Sequence, residues 1–381
     1  MVVLTLLMRC VVVKPSPEAS SRVDIMMQML RDALPSFTDL KCSIQAKADV
    51  IEVDASDLVE VAETVSKFSG VAYAALAERV VPEFDTVLQT IVNVGKKGIF
   101  ENERFTVKVE APQNLNFEPK DLESLAISAL IGEVSDRGAK PDEKKPNKVL
   151  YALLTKEDAY IFTHRFLGFG GLPCGSLGRC IILVEPTIRS LVNAWLTQRA
   201  GFDADYLVVN RPTCYPESLY RSFEVFALLR RCVPKKSVQL LYVNAAEQYT
   251  SGDVNLGYSW IDFTAALALE AARDIGVKAV SLPLNLDSSV KGVVERACRE
   301  AINLFSPASF LTVDELLIYA DKIGLLSKLT LDLEGNLGML DASGRPVYDL
   351  DGAVKDAWKG VSKIEVVKGL LNAHEIVDRL S

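Results

Sequence analysis

The segment Gly168–Gly178 reads GFGGLPCGSLG, five glycines in eleven residues, and it separates two regimes of hydrophobic patterning. Upstream of it, apolar and polar residues alternate in strand-like runs broken by amphipathic helical stretches. Downstream, short apolar runs are continuous and helices lie between them. A glycine-rich run lets backbone N–H groups approach an anion, so a phosphate-cradling loop is one reading. The spacing argues otherwise. A dinucleotide fingerprint starting at Gly168 needs glycine where Pro173 stands, and a P-loop starting at Gly170 reaches Gly175 but continues Ser176-Leu177 rather than Lys-Ser/Thr. The alternative is a tight, rigid interdomain turn spanning 168–179, with Gly168, Gly170, Gly171, Leu172, Pro173, Gly175 and Gly178 as its framework.

Downstream, Cys180–Val184, Tyr206–Val209, Val238–Val243 and Ala279–Leu282 are apolar runs without alternation. Helical patterns fill the gaps at Ile188–Arg199, Ser218–Arg231, Asp262–Ile275 and Val290–Ile302. Strands apolar on both faces belong to a parallel sheet covered by helices, so residues 180–325 read as a doubly wound α/β domain. Ligands of such domains sit at the carboxyl ends of the strands. Residues 326–381 read as a small appendix, with a hairpin near Glu334-Gly335-Asn336 and two closing helical stretches.

Upstream, residues 1–92 alternate strand and helix as an α+β unit of ferredoxin-like rhythm. The strands are Leu6–Val13, Val50–Val53 and Val71–Arg79. The helices are Ser21–Leu34, closed by Pro35; Ser56–Phe68, capped by Asp54 or Ser56; and Phe84–Val92. Residues 93–167 form a second unit: strand Phe105–Glu110, helix Pro119–Ile131, an exposed loop Arg137–Lys148, and paired strands Val149–Leu154 and Ala159–Phe166. His164 shares an alternating face with Tyr160, Phe162 and Phe166, which predicts a half-buried structural histidine.

Composition narrows the chemistry. The chain carries 42 Lys and Arg against 50 Asp and Glu, a net −8, which disfavours nonspecific nucleic-acid binding over most of the surface. Seven cysteines are scattered with no C-x-x-C spacing, so no disulfide framework and no metal site can be read; free thiols of a cytoplasmic protein are expected. With only two histidines and no G-x-S-x-G, a hydrolase is disfavoured. The opening MVVLTLLMRCVVVK fits a first strand better than a signal peptide, and no apolar run is long enough to span a membrane.

The string G-x-G-G-L-P-x-G-x-x-G, following two strands and preceding a parallel-sheet domain, resembles the tRNA 4-thiouridine synthetase (sulfurtransferase) family. Leu6-Leu7-Met8-Arg9, Phe105-Thr106-Val107-Lys108-Val109, Ala159-Tyr160-Ile161-Phe162 and Arg211-Pro212-Thr213 support it in the right order over residues 1–325. The resemblance implies a ferredoxin-like unit, then a THUMP domain for RNA, then an adenylating PP-loop domain of the adenine nucleotide alpha hydrolase type. It places the family's S-G-G-x-D-S pyrophosphate loop, counted back from Gly201, on Glu185-Pro186-Thr187-Ile188-Arg189-Ser190. Only Ser190 matches.

Leu183 and Val184 lead into this loop, and Val208 and Val209 end the next strand. Glu185 sets a negative charge where a phosphate should lie. Like unit charges about 4 Å apart repel by about 4 kcal/mol at an effective dielectric of about 20. Pro186 lacks an N–H donor, and no glycine allows close approach. Arg189 could offset the charge by binding an anion itself.

The family's later nucleotide contacts fall on Ile261-Asp262 and Leu282–Ser288, without its G-E-S or G-Q, and its late acceptor cysteine is missing, since none follows Cys298. Cys174 is the one thiol in a suggestive place, with an inert loop cysteine as the plainer reading. The family's G-E-I-x-x-K near the start is replaced here by Cys10-Val11-Val12-Val13-Lys14. Its basic stretch after the first THUMP strand is replaced by Glu110-Ala111-Pro112-Gln113-Asn114-Leu115. Basic charge gathers instead at Arg137, Lys140, Lys144, Lys145 and Lys148, with Arg165 near the junction, either a solvated surface or an RNA backbone contact.

Three functional readings follow in order. The first is a diverged relative that binds tRNA or another structured RNA, lacks adenylation and needs no cofactor, as a homodimer or with an active family partner. The second is an active ATP-dependent tRNA sulfurtransferase. The third is a scaffold or regulatory protein using the sheet crevice without RNA.

Overall fold

The computed structural model describes residues 8–38, 41–47, 49–112, 116–210, 216–245, 260–285, 291–324, 350–367 and 376. It divides into two compact units, Met1–Gly171 and Leu172–Ser381.

The first unit opens β1 (Met8–Pro15), α1 (Val23–Phe37), β2 (Ser43–Lys47), β3 (Val50–Asp54), α2 (Leu58–Ser66), β4 (Val71–Val80). Its strands lie in the order β2-β3-β1-β4 with every neighbouring pair antiparallel, the ferredoxin-like arrangement. In β1, residues 10–13 are buried, and α1 sets Met26, Leu30, Ala33 and Leu34 on its buried face. Pro35 does not end α1, which runs on to Phe37. It sits in the last turn, where only its own bond is lost, and Thr38 closes the helix by donating its N–H (2.9 Å) and hydroxyl (3.2 Å) to the Leu34 carbonyl. The cap of α2 is Asp57, which accepts from the Val59 and Glu60 N–H groups at 3.0 Å. β2 went unread because Ser43–Lys47 buries no residue fully; it is an edge strand defined by its pairing with β3.

The same sheet continues. After α3 (Phe84–Gly98) come β5 (Arg104–Glu110), α4 (Pro119–Val134), β6 (Lys140–Pro141), β7 (Lys148–Leu154), β8 (Ala159–Phe162) and β9 (Phe166–Leu167). They extend β4 through β8, β7, β5 and β6 into a nine-stranded sheet, with β9 on β4. The sequence boundary at 92/93 therefore falls inside α3. α3 and α4 cover one face through Val87, Ile91, Leu122, Ala126 and Leu130, packed on Phe105, Val107, Leu150 and Ile161. The expected strand Ala159–Phe166 breaks at residues 163–165, so His164 is exposed rather than half-buried, its ring edge-on to Phe166 at 4.7 Å.

The second unit runs β10 (Arg179–Val184), α5 (Ile188–Arg199), β11 (Asp203–Asn210), α6 (Pro216–Arg230), β12 (Ser237–Asn244), α7 (Trp260–Ile275), β13 (Ala279–Ser281), α8 (Lys291–Arg299), β14 (Asn303–Phe305), α9 (Val313–Lys322), α10 (Leu350–Lys359) and β15 (Ser362–Val367). Strand order is β14-β13-β10-β11-β12-β15, parallel except for antiparallel β15. The winding reverses between β10 and β13, which makes a doubly wound sheet with its switch point there. The described part of the C-terminal stretch is built into the sheet and core rather than standing apart as an appendix. β15 pairs with β12 from Ser237↔Val367 to Tyr242↔Ser362, and α10 buries Val354 and Ala357 in the main core. The segment around Glu334-Gly335-Asn336 lies outside the described residues.

The glycine-rich junction is shared between the units. In the first, Gly168 and Gly170 donate to the Ala72 and Val71 carbonyls at 2.8 Å, and the Ser16 hydroxyl donates to the Gly171 carbonyl at 2.7 Å. In the second, Leu172 and Leu177 donate to Arg199 and Gly201 carbonyls. A Cβ at Gly168 would lie 2.1 Å from the Val71 carbonyl oxygen, which is backbone and cannot move aside. Gly168→Ala is expected to destabilise the first unit by about 3 kcal/mol, roughly 10 °C in thermal midpoint. Gly175→Ala, strained only by its φ of +89° with open space around it, is expected to cost about 1 kcal/mol. Thermal unfolding of both variants by circular dichroism checks the contrast.

Candidate functional site

The switch point sets the carboxyl ends of β10 and β13 side by side, and the loop Glu185-Pro186-Thr187 leads from Val184 into α5. Leu183, Val184 and Val208 are buried in the sheet, and Val209 is half-buried. A helix start exposes N–H groups that need acceptors. Here the loop supplies acceptors for part of them. The Thr187 hydroxyl accepts from the Ser190 N–H at 3.1 Å as the N-cap. The Ser190 hydroxyl accepts from the Glu185 N–H at 2.9 Å, and the Thr187 N–H donates to the Glu185 carbonyl at 2.8 Å. The N–H groups of Glu185, Thr187 and Ser190 are thus occupied within the loop, and Pro186 has none.

Arg189 does not turn toward the loop. Its guanidinium donates to the Ala308 carbonyl and, at 3.3 Å, to the Leu311 carbonyl, tying α5 to the segment before α9. The expectation that it could hold an anion beside Glu185 is therefore corrected: the fork is spent on backbone carbonyls.

Below the loop, α5 presents buried polar residues to β13. Asn193 donates to the Ser281 hydroxyl at 2.8 Å, Thr197 and Ser281 share a bond of 2.7 Å, and Asn193 Oδ1 accepts from the Ala308 N–H at 3.3 Å. This network was missed in the sequence. Its signal was the polar spacing Ser190, Asn193, Thr197 on one helical face of an otherwise apolar segment. Ile261 and Asp262 lie in the first turn of α7, Leu282–Asn285 follow β13, and residues 286–288 and Arg211-Pro212-Thr213 lie outside the described residues.

Burial pushes the Cys174 thiol up to about 12, and its sulfur faces the Phe202 carbonyl at 3.7 Å. Burial does the same to Cys10 and Cys180, and Cys298 is exposed. Among the described residues no cluster of three or more His, Cys, Asp or Glu could hold a metal, and no helix is long and apolar enough to cross a membrane.

The basic candidates of the first unit separate into two groups. Arg137 is occupied structurally, donating to the Lys96 and Ile99 carbonyls at 2.8 Å and closing the end of α3. Arg165 lies 4.1 Å from the Tyr151 ring centroid, bonds the Tyr151 hydroxyl at 3.0 Å and pairs with Glu110 at 3.7 Å. Both act within the fold rather than standing free. Lys140, Lys144 and Lys145 are exposed. Asp142 fixes their loop by accepting the Lys144 and Lys145 N–H groups at 2.9 and 3.0 Å, and those bonds hold its carboxyl below the usual range. Lys148 stands over the ring of Phe100, which lies between the expected helix Phe84–Val92 and the expected strand Phe105–Glu110.

No family model matches the chain. It is 27% identical over 186 residues to a probable tRNA sulfurtransferase of Alkaliphilus oremlandii, covering 48% of this chain and 47% of that protein. A probable tRNA sulfurtransferase of Alkaliphilus metalliredigens is 30% identical over 176 residues, 46% of this chain and 44% of the relative. The chain thus spans about half the length of the curated relatives it matches. In structure it is similar to a 4-thiouridine synthetase solved with RNA and ATP, at TM-score 0.70 and 17% identity over 94% of this chain and 99% of that one. Protein PH1313 of Pyrococcus horikoshii matches at TM-score 0.62 and 18% identity over 84% and 100%. The expected fold class holds: a ferredoxin-like unit, an α/β extension of its sheet and a doubly wound, mostly parallel sheet.

The raised thiols fix a pH dependence. The folded chain keeps protons on Cys10, Cys174 and Cys180 that an unfolded thiol releases near its ordinary value of 9.0. The folded state binds more protons above that pH, so stability falls as pH rises from about 9 toward about 12. Urea midpoints are expected to decline over that window, and a thiol reagent at pH 8 to label exposed Cys298 well before Cys174.

Proposed function

We propose that this chain, a sequence relative of the tRNA sulfurtransferases with the fold of a 4-thiouridine synthetase, binds tRNA or a similarly structured RNA and does not adenylate it. The observation that carries this reading is the inward bond from the Glu185 N–H to the Ser190 hydroxyl, followed by Pro186. A triphosphate held at a helix start needs free N–H donors and tolerates little negative charge beside it. At this helix start, Thr187 caps Ser190, Glu185 adds a carboxylate, and Arg189 is committed elsewhere. The residues present do not fit the phosphates of ATP.

RNA recognition in the first unit would be modest, because two of its basic candidates are tied into the fold. Phosphate contacts then fall to the exposed lysines of residues 140–148. On this reading the protein acts in the cytoplasm, where free thiols persist.

Titration with Mg·ATP is expected to give no heat and no thermal shift. Fluorescence anisotropy with total tRNA is expected to show binding at low ionic strength that weakens steeply with added salt. A saturable ATP signal, or AMP transferred to RNA, would establish the active sulfurtransferase instead. Absence of tRNA binding at low salt would leave the crevice-using scaffold.

A further inference from the structure

We propose that Phe100 and Lys148, with the lysine loop beside them, form a stacking platform for an unpaired nucleotide of RNA. The proposal rests on the RNA-binding reading above and adds a second class of contact to it. Phe100 is 63% exposed, a large aromatic ring left in water at the end of α3. It is held there by a built turn.

The Phe100 N–H donates to Glu103 Oε2 at 2.8 Å, and the neighbouring Ile99 is fully buried. The Asn102 N–H donates to the Arg137 carbonyl at 3.0 Å, from a left-handed backbone at φ 60° that asparagine tolerates. Arg137 in turn bonds the Ile99 carbonyl, and the Lys140 N–H donates to the Glu103 carbonyl at 3.0 Å. Arg137, expected from the sequence to meet RNA, is here a positioning residue for the turn that displays Phe100.

Charge gathers at the same end of the sheet. Register pairs Phe105 with Lys148 and Arg104 with Lys140, so both lysines lie at the amino end of β5, beside the turn. Lys148 Nζ stands 5.6 Å from the Phe100 ring centroid. Residues 137–148 hold five Lys and Arg against two acidic residues, in a chain whose net charge is −8. An exposed ring with cations along one side is what a single strand requires: bases stack on the ring while phosphates follow the lysines. A duplex keeps its bases paired and gives the ring nothing to stack on. The expected ligand is thus single-stranded RNA or an unpaired loop or end.

The test uses fluorescence anisotropy of the full chain with a labelled single-stranded RNA and with an RNA duplex of equal phosphate number, at low salt. Phe100→Ala is expected to weaken single-strand binding about tenfold and leave duplex binding unchanged. Phe100→Trp is expected to keep the affinity and to lose indole fluorescence when the single strand binds, a signal that a purely structural role would not give. Lys148→Gln is expected to lower the salt slope by about 0.7, the share of one phosphate contact on a single strand. Unchanged single-strand affinity in Phe100→Ala, with no quenching in Phe100→Trp, would overturn the platform while leaving the RNA reading in place. Failure of the unsubstituted chain to bind either RNA would overturn both.

Discussion

The N–H groups that open α5 must find acceptors, and much of the second unit is arranged around the answer. In a phosphate-binding loop the acceptors come from the ligand, so the loop stays open and glycine-rich. Here the N–H groups of Glu185, Thr187 and Ser190 find theirs in the Ser190 hydroxyl, the Glu185 carbonyl and the Thr187 hydroxyl, all within four residues of the helix start. Once the start is closed, the rest of α5 is fixed from its other side. Arg189 holds the carbonyls before α9, and Asn193 and Thr197 hold Ser281 at the end of β13. Buried polar groups of this kind stabilise only when their partners are in place, and these bonds tie α5 to β13 beside the switch point.

Much of this was legible in the sequence because it rests on local chemistry. The continuous apolar runs of the second unit announce a parallel sheet, and the pattern of α5 gives Ile188–Arg199 to the residue. Glu185 and Pro186 are legible as misfits to a phosphate loop from their side chains alone. What was not legible depends on partners distant in sequence. β2 buries no residue fully and exists through β3; β15 joins the sheet more than a hundred residues after β12. Arg137 and Arg189 look like ligands for anions until the carbonyls of Ile99 and Ala308 arrive beside them. His164 fails its periodicity because the strand breaks at Thr163, a local event with no composition signal.

The net charge of −8 gains a location from this. Positive charge in the first unit is partly neutralised inside the fold, by Glu110 against Arg165 and Glu52 against Arg79. Exposed Lys140, Lys144 and Lys145 lie with Lys148 in the segment beside the amino end of β5 and Phe100. An acidic protein can still meet RNA through one compact basic edge, provided the contact adds stacking to charge. Such binding is weaker than that of a wholly basic surface and more selective for unpaired bases.

We propose that the loop into α5, whose Glu185, Thr187 and Ser190 N–H groups are taken by its own residues, holds no nucleotide phosphates. Amide hydrogen exchange of residues 185–191, with and without Mg·ATP, tests it most directly. The account predicts that the Glu185 and Ser190 amides are strongly protected in the free protein and unchanged by nucleotide. Fast exchange in the free protein that slows on adding ATP would contradict it.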